Sequence, residues 1–125
     1  MKKKIIASIF VLMFAVAGTA CNRGHRQKGP EITTPYAAVT LDNNQIYFGK
    51  LADAGSKFPV LTDVYYIQSQ VNQETKAVTR ILTPRSKDVH GPDRMFLNAQ
   101  HIILIEPVGA DSELAKLIAN DKSKH

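Results

Sequence analysis

Cysteine is nearly missing from this chain of 125 residues: there is one, Cys21. A lone cysteine closes no internal disulfide and has no second thiol with which to build a redox pair or a zinc site. An apolar run long enough to cross a bilayer is missing as well. The longest, Ile5 to Ala17, falls short of the ~20 residues that a spanning helix needs. There is no internal repeat and no low-complexity tract, and a chain of this size holds one small domain with one core.

A charge excess is missing where it would matter. The net charge is +5, which at first suggests a nucleic-acid partner. Without Lys2, Lys3 and Lys4 it falls to +2, carried by Arg23, Arg26 and Lys28 against Glu31. From Tyr36 to Gly109, Lys50, Lys57, Lys76, Arg80, Arg85, Lys87 and Arg94 are matched by Asp42, Asp53, Asp63, Glu74, Asp88, Asp93 and Glu106. A neutral domain lacks the basic stripe by which proteins follow a phosphate backbone, so no nucleic-acid partner is expected.

What the sequence does have begins at its first residues. Lys2–Lys4, the apolar stretch to Ala17, and the small residues Gly18-Thr19-Ala20 read as an export signal over residues 1–20. With Cys21 next in line, residues 1–22 resemble the leader of bacterial lipoproteins. That resemblance implies cleavage before Cys21, lipidation of its sulfur and a membrane anchor; Asn22 in the following position favours the outer membrane by the same likeness. The chain departs from the pattern at Gly18, where an aliphatic residue is usual. Two other readings stay open: an ordinary secretory cut after Ala17 or Ala20 that leaves a free thiol, and an uncleaved anchor. Residues 21–35 hold Gly24, Gly29, Pro30 and Pro35 with few apolar side chains and read as a flexible linker. Its basic residues lie where anionic headgroups would meet them, and a solvated tether is the favoured reading.

Past Pro35 the pattern becomes period two. Ala37, Val39 and Leu41 alternate with polar or small residues, Asp42-Asn43-Asn44-Gln45 supplies a turn, and Ile46–Leu51 resumes as a strand. Val60–Ile67, Ala77–Leu82, Met95–Leu97 and His101–Glu106 are further strands, rich in β-branched and aromatic residues. The polar segment from Gln68 to Lys76 extends the hairpin between the third and fourth. Asp111 or Ser112 can cap a short helix that places Leu114, Leu117 and Ile118 on one face. The expected fold is mainly all-β: a partly open barrel of five to six antiparallel strands over residues 36–109, then a helix and tail over 110–125.

"VTLDNNQIYFGKL", "VLTDV" and "MFLNAQHIILIEP" are similar to the two signatures of Sm-like barrels, five-stranded SH3-like folds. Gly49 stands where a glycine lets the second strand bend sharply. The pieces "YFGKL", "LTDVYY" and "HGP" also resemble those of small bacterial membrane-anchored proteins. Sm-like proteins hold RNA through an Asn after the second strand and an Arg-Gly pair before the last. Here those places read Lys57-Phe58-Pro59-Val60 and Asn98-Ala99, so the resemblance brings no RNA site.

Candidate site residues are few. Asp88, His90 and Asp93 gather an imidazole and two carboxylates, the groups of a metal ligand set or a general base; the same Gly-Pro-Asp run is ordinary turn chemistry. His101 opens an apolar strand and reads as an edge residue. Tyr65 and Tyr66 are neighbours on a strand and face opposite sides of the sheet. One enters the core; the other, with Phe58, Tyr36 and Tyr47, is either part of a half-buried exterior, the favoured reading, or an aromatic patch for a partner. The sequence thus reads as an exported, lipid-anchored envelope protein facing the periplasm. Its barrel would be a non-catalytic binding or structural module with no cofactor, partnered by the membrane through Cys21 and by a protein or a further copy of itself. The alternatives are a small enzyme or metal-binding protein using Asp88, His90 and Asp93, and a self-associating Sm-like ring.

Overall fold

A computed structural model of the chain describes residues 28–125. The expected signal helix over residues 1–20, Cys21 and the start of the linker lie outside the described residues. Six strands follow one another: β1 (Ala37–Leu41), β2 (Ile46–Ala52), β3 (Val60–Val71), β4 (Val78–Pro84), β5 (Arg94–Phe96) and β6 (Ile102–Pro107). A single α-helix, α1 (Glu113–Lys122), closes the chain. The strands are antiparallel in the order β4-β3-β2-β1-β6, and β5 pairs with the first residues of β3. The sheet is not closed, and the coarse expectation of a mainly β domain with a C-terminal helix is met.

Local chemistry sets the turns. Asn44 adopts a positive φ of 63° between β1 and β2, a conformation that Asn tolerates better than most residues. Asn43 Oδ1 accepts from the Gln45 amide at 3.0 Å. The β3–β4 hairpin is longer than the apolar pattern alone suggests, with pairing running from Tyr65↔Pro84 to Val71↔Val78. Its tip is organised by Asn72, whose side chain accepts from the Glu74 and Thr75 amides at 2.9 and 3.1 Å.

One irregularity decides which side chains face the core. Tyr47↔Tyr66 and Phe48↔Tyr65 are in one register, while Lys50↔Thr62 and Leu51↔Leu61 are in another. Two residues of β3, Asp63 and Val64, therefore oppose Gly49 alone: a bulge with Asp63 at a φ of 53°. The strands approach so closely here that a Cβ on Gly49 would stand 3.0 Å from the Thr62 carbonyl oxygen. The bulge reverses the alternation of β3. Leu61, Val64 and Tyr66 share the inner face, and Tyr65 turns to the outer one.

The inner face holds the core cluster of Val39, Tyr47, Leu61, Val64 and Leu97, flanked by Leu41, Leu51, Tyr66, Met95, Ile102 and Ile105. On α1, Ile118 is buried, but Leu117 is 45% exposed, so the expected apolar face of the helix is only partly covered. Ser112, not Asp111, is the cap: its hydroxyl accepts from the Ala115 amide at 3.1 Å. Glu113 and Lys122 suit the two ends of the helix dipole. Ser112→Ala is expected to cost about 1 kcal/mol, read as a lower urea midpoint of the helical circular dichroism signal.

The linker expected over residues 21–35 is not free of the domain from Lys28 onward. Gly29 lies so close to the β2–β3 loop that a Cβ on it would fall 2.3 Å from the Gly55 nitrogen. Only glycine permits that contact. Pro30 continues past Ala54 along a groove whose other wall is Ile102–Ile105.

Candidate functional site

Three features stand out on this scaffold. The first is a polar cluster between the outer face and the end of α1. Asp63, lifted out of the strand by its bulge, accepts hydrogen bonds from the Tyr36 hydroxyl and the Lys122 ammonium, and Lys50 lies 3.8 Å away. Both lysines also stand over the Tyr36 ring, at 5.9 and 5.6 Å from its centre. Tyr36 meets Tyr65 edge to face at 6.5 Å, and the Tyr65 hydroxyl donates to Asp121 at 3.3 Å.

Each group here is occupied by its neighbours. Partial burial pushes the Asp63 carboxyl up, but the hydrogen bonds from Lys122 and Tyr36 and the two lysine charges outweigh it, so its pKa is lowered. Burial, then the charges of Asp63 and Asp121, push Tyr65 up to about 12. The hydrogen bonds to Asp63 and Tyr36 raise Lys122 further above its ordinary value. The cluster is a clasp that fastens α1 to the sheet.

The clasp has a pH signature. A carboxyl whose folded pKa is depressed contributes stability above its unfolded pKa and loses it as pH falls through the folded value. Helical signal is therefore expected to be constant from neutrality down to about pH 5 and to fall below about pH 4. Asp63→Asn should remove that step. A step that persists unchanged in the variant would assign it to another carboxyl.

The second feature lies at the other face. Arg85, in the 3₁₀ turn Arg85–Lys87 after β4, places its guanidinium 5.6 Å from the Tyr47 ring centre and 5.8 Å from that of Tyr66. Its Nε is 3.0 Å from Asp88 Oδ2, yet the N–H has no hydrogen-bond acceptor in line; the contact is ionic. The Tyr66 hydroxyl donates to Asp88 at 3.3 Å. Burial, followed by the Asp88 charge, raises the Tyr66 pKa. This arrangement seals one mouth of the core with an arginine held between two aromatic faces.

The sequence candidates are thereby dispersed. Asp88 is held by Arg85 and Tyr66. Asp93 is paired with its neighbour Arg94 at 2.9 Å and is 78% exposed; the hydrogen bond from Arg94 lowers its pKa. His90 is exposed. Among the described residues, no group of three or more His, Cys, Asp or Glu side chains comes together to hold a metal ion. Tyr65 and Tyr66 do face opposite sides, but Tyr65 is only 3% exposed, because the bulge turns it under α1. Tyr66 is half-buried, and of the proposed contact set Phe58, at 49%, is the open one. His101 does find a partner: its Nδ1 lies 2.6 Å from Asp42 Oδ2, tying the start of β6 to the β1–β2 turn.

The third feature is the extended hairpin between the third and fourth strands. β2 pairs with β3 only as far as Tyr66, so Ile67–Val71 and Val78–Leu82 project as a two-stranded ribbon. On it Ile67, Val71, Val78 and Ile81 are 48, 52, 61 and 40% exposed. A groove of about 350 Å³ runs between the ribbon and α1, lined by Ile67, Arg80, Leu82, Glu113, Leu114 and Leu117. Alternation in the sequence marks strands, but it does not tell how far a neighbouring strand extends to cover them.

Among the described residues no helix is long and apolar enough to cross a membrane. Compared with known proteins, the chain matches no family model and no curated sequence.

Proposed function

We propose that this chain is an exported lipoprotein, anchored through Cys21 with its domain at the periplasmic side of the envelope, and that the domain is a non-catalytic binding or structural module. The observation that carries the binding role is the set of aliphatic side chains on the β3–β4 ribbon and α1 that the fold leaves open to water, since contiguous exposed apolar surface marks interaction sites. The anchor rests on the leader pattern ending at Cys21. Lys28, where the chain meets the β2–β3 loop, is seven positions after Cys21, a span of at most about 25 Å. The end of the domain that carries Asp53–Ser56 therefore faces the membrane closely, and the ribbon is left to face a partner.

The open antiparallel sheet with its bulge at Gly49 supports kinship of shape with Sm-like, SH3-like barrels. The neutral domain argues against nucleic acid. Asn98 is spent as a cap on the Gln100 amide. A second reading, edge-to-edge self-association in a ring as Sm-like proteins practise it, draws on the terminal positions of β4 and β6 in the sheet. Cell fractionation tests the anchor. Wild-type protein is expected in the membrane pellet after alkaline carbonate washing and to take up labelled palmitate; Cys21→Ser is expected to lose the label. Equal labelling of both would refute it.

A further inference from the structure

The ribbon and the groove beside it are not a uniform apolar surface. Ile67 and Leu82 are register partners on the outer face, as are Val71 and Val78. Ser69 and Arg80 are paired between them on the same face, so Ile67 and Leu82 share the groove with Leu114 and Leu117, while Val71 and Val78 lie four residues, about 13 Å, further along. Two charges flank the groove: Arg80 on β4, within the outer face of the ribbon, and Glu113 on the first turn of α1. Neither takes part in an ion pair among the described residues. An isolated two-stranded ribbon is only marginally stable in water, and this one carries three exposed aliphatic residues on its outer face, Ile67, Val71 and Val78, with Ile81 on the other.

We propose that this surface is the interface of a two-fold dimer, in which the ribbon and α1 of one copy cover those of a second and Arg80 of each copy meets Glu113 of the other. A groove with a cation on its ribbon wall and an anion on its helix wall is self-complementary under a two-fold axis, because rotation brings each charge onto its opposite. Any other single partner would need the matching pair supplied independently. Edge-to-edge growth into a ring fits less well. It would use the terminal strands β4 and β6 and would leave these aliphatic side chains uncovered. The inference deepens the binding role proposed above and is independent of the anchor.

The single native cysteine makes the test clean. In full-length protein carrying Cys21→Ser, a lone cysteine at Ile67→Cys is expected to give a disulfide-linked homodimer on mild oxidation in detergent solution. Ile103→Cys, a 60% exposed position on β6, is expected to stay monomeric on the same gel. Light scattering on the Cys21→Ser protein should give the mass of two chains. Arg80→Glu and Glu113→Arg should each weaken the dimer by about tenfold, and the double exchange should restore it. A monomer, a ring of five or more chains, equal cross-linking at Ile103, or a double exchange no better than the single variants would each overturn the proposal. Because Cys21 is absent throughout, none of these outcomes depends on lipidation.

Discussion

Leu61→Ala is expected to cost about 3 kcal/mol of folding stability, within the range seen for leucine deletions in closed cores. Leu61 is fully buried and sits where β3 is paired on both sides, opposite Leu51 of β2 and Met95 of β5. It is the side chain around which the short β5 strand is held, because β5 has only three residues and pairs with β3 alone. The loss combines the transfer of a leucine side chain to water with a cavity that neighbouring strands cannot collapse into. Urea unfolding followed by tyrosine fluorescence measures it. A change below about 1 kcal/mol would mean that the core is looser than its burial indicates.

Asp63→Ala carries the second-largest effect, about 2 kcal/mol, in two separable parts. One is the positive φ at the bulge, which alanine tolerates less well than Asp or Gly. The other is the clasp, worth less than a fully buried charge network because Asp63 keeps 29% of its side chain exposed. Asp63→Gly keeps the backbone conformation and removes only the clasp. Asp63→Asn keeps the conformation and can still accept from Tyr36 and Lys122. Stability is therefore expected to fall in the order wild type, Asn, Gly, Ala. Amide exchange in Glu113–Lys122 should accelerate in the Ala and Gly variants, while amides of β1 and β2 stay protected, since the hydrogen bonds of Asp63 and Asp121 tie α1 to the sheet beside the buried Ile118.

Much of the architecture was readable from residue order. Alternation gave the hairpin about Asp42–Gln45, and runs of β-branched and aromatic residues marked the other strands. Gly49 marked the place where two backbones come together. The cap at the start of α1 was recognisable because hydroxyl side chains compete for free amides. The bulge itself was not, since it arises from the pairing of two strands, and with it went the orientation of Tyr65 and the clasp around Asp63. Its three basic and phenolic partners, Tyr36, Lys50 and Lys122, are scattered along the chain, and only the fold brings them to one carboxylate.

The candidate site was less legible. Asp88, His90 and Asp93 lie close in sequence, and proximity along a chain says little about convergence of side chains: Asp88 turns to Arg85 and Asp93 to Arg94. Conversely, Arg80 and Glu113 share no motif and are brought to one groove by the packing of a helix on a ribbon. The signal that could have pointed there is the run Val78–Leu82, more apolar than a solvated hairpin requires.

The most direct measurement is the intact mass of the protein recovered from envelope membranes. A chain that begins at Cys21, with its sulfur carrying a diacylglyceryl group, is the expected species. A chain that begins at Met1 with a free thiol, recovered in the soluble fraction, would contradict the lipid anchor on which the proposed role depends.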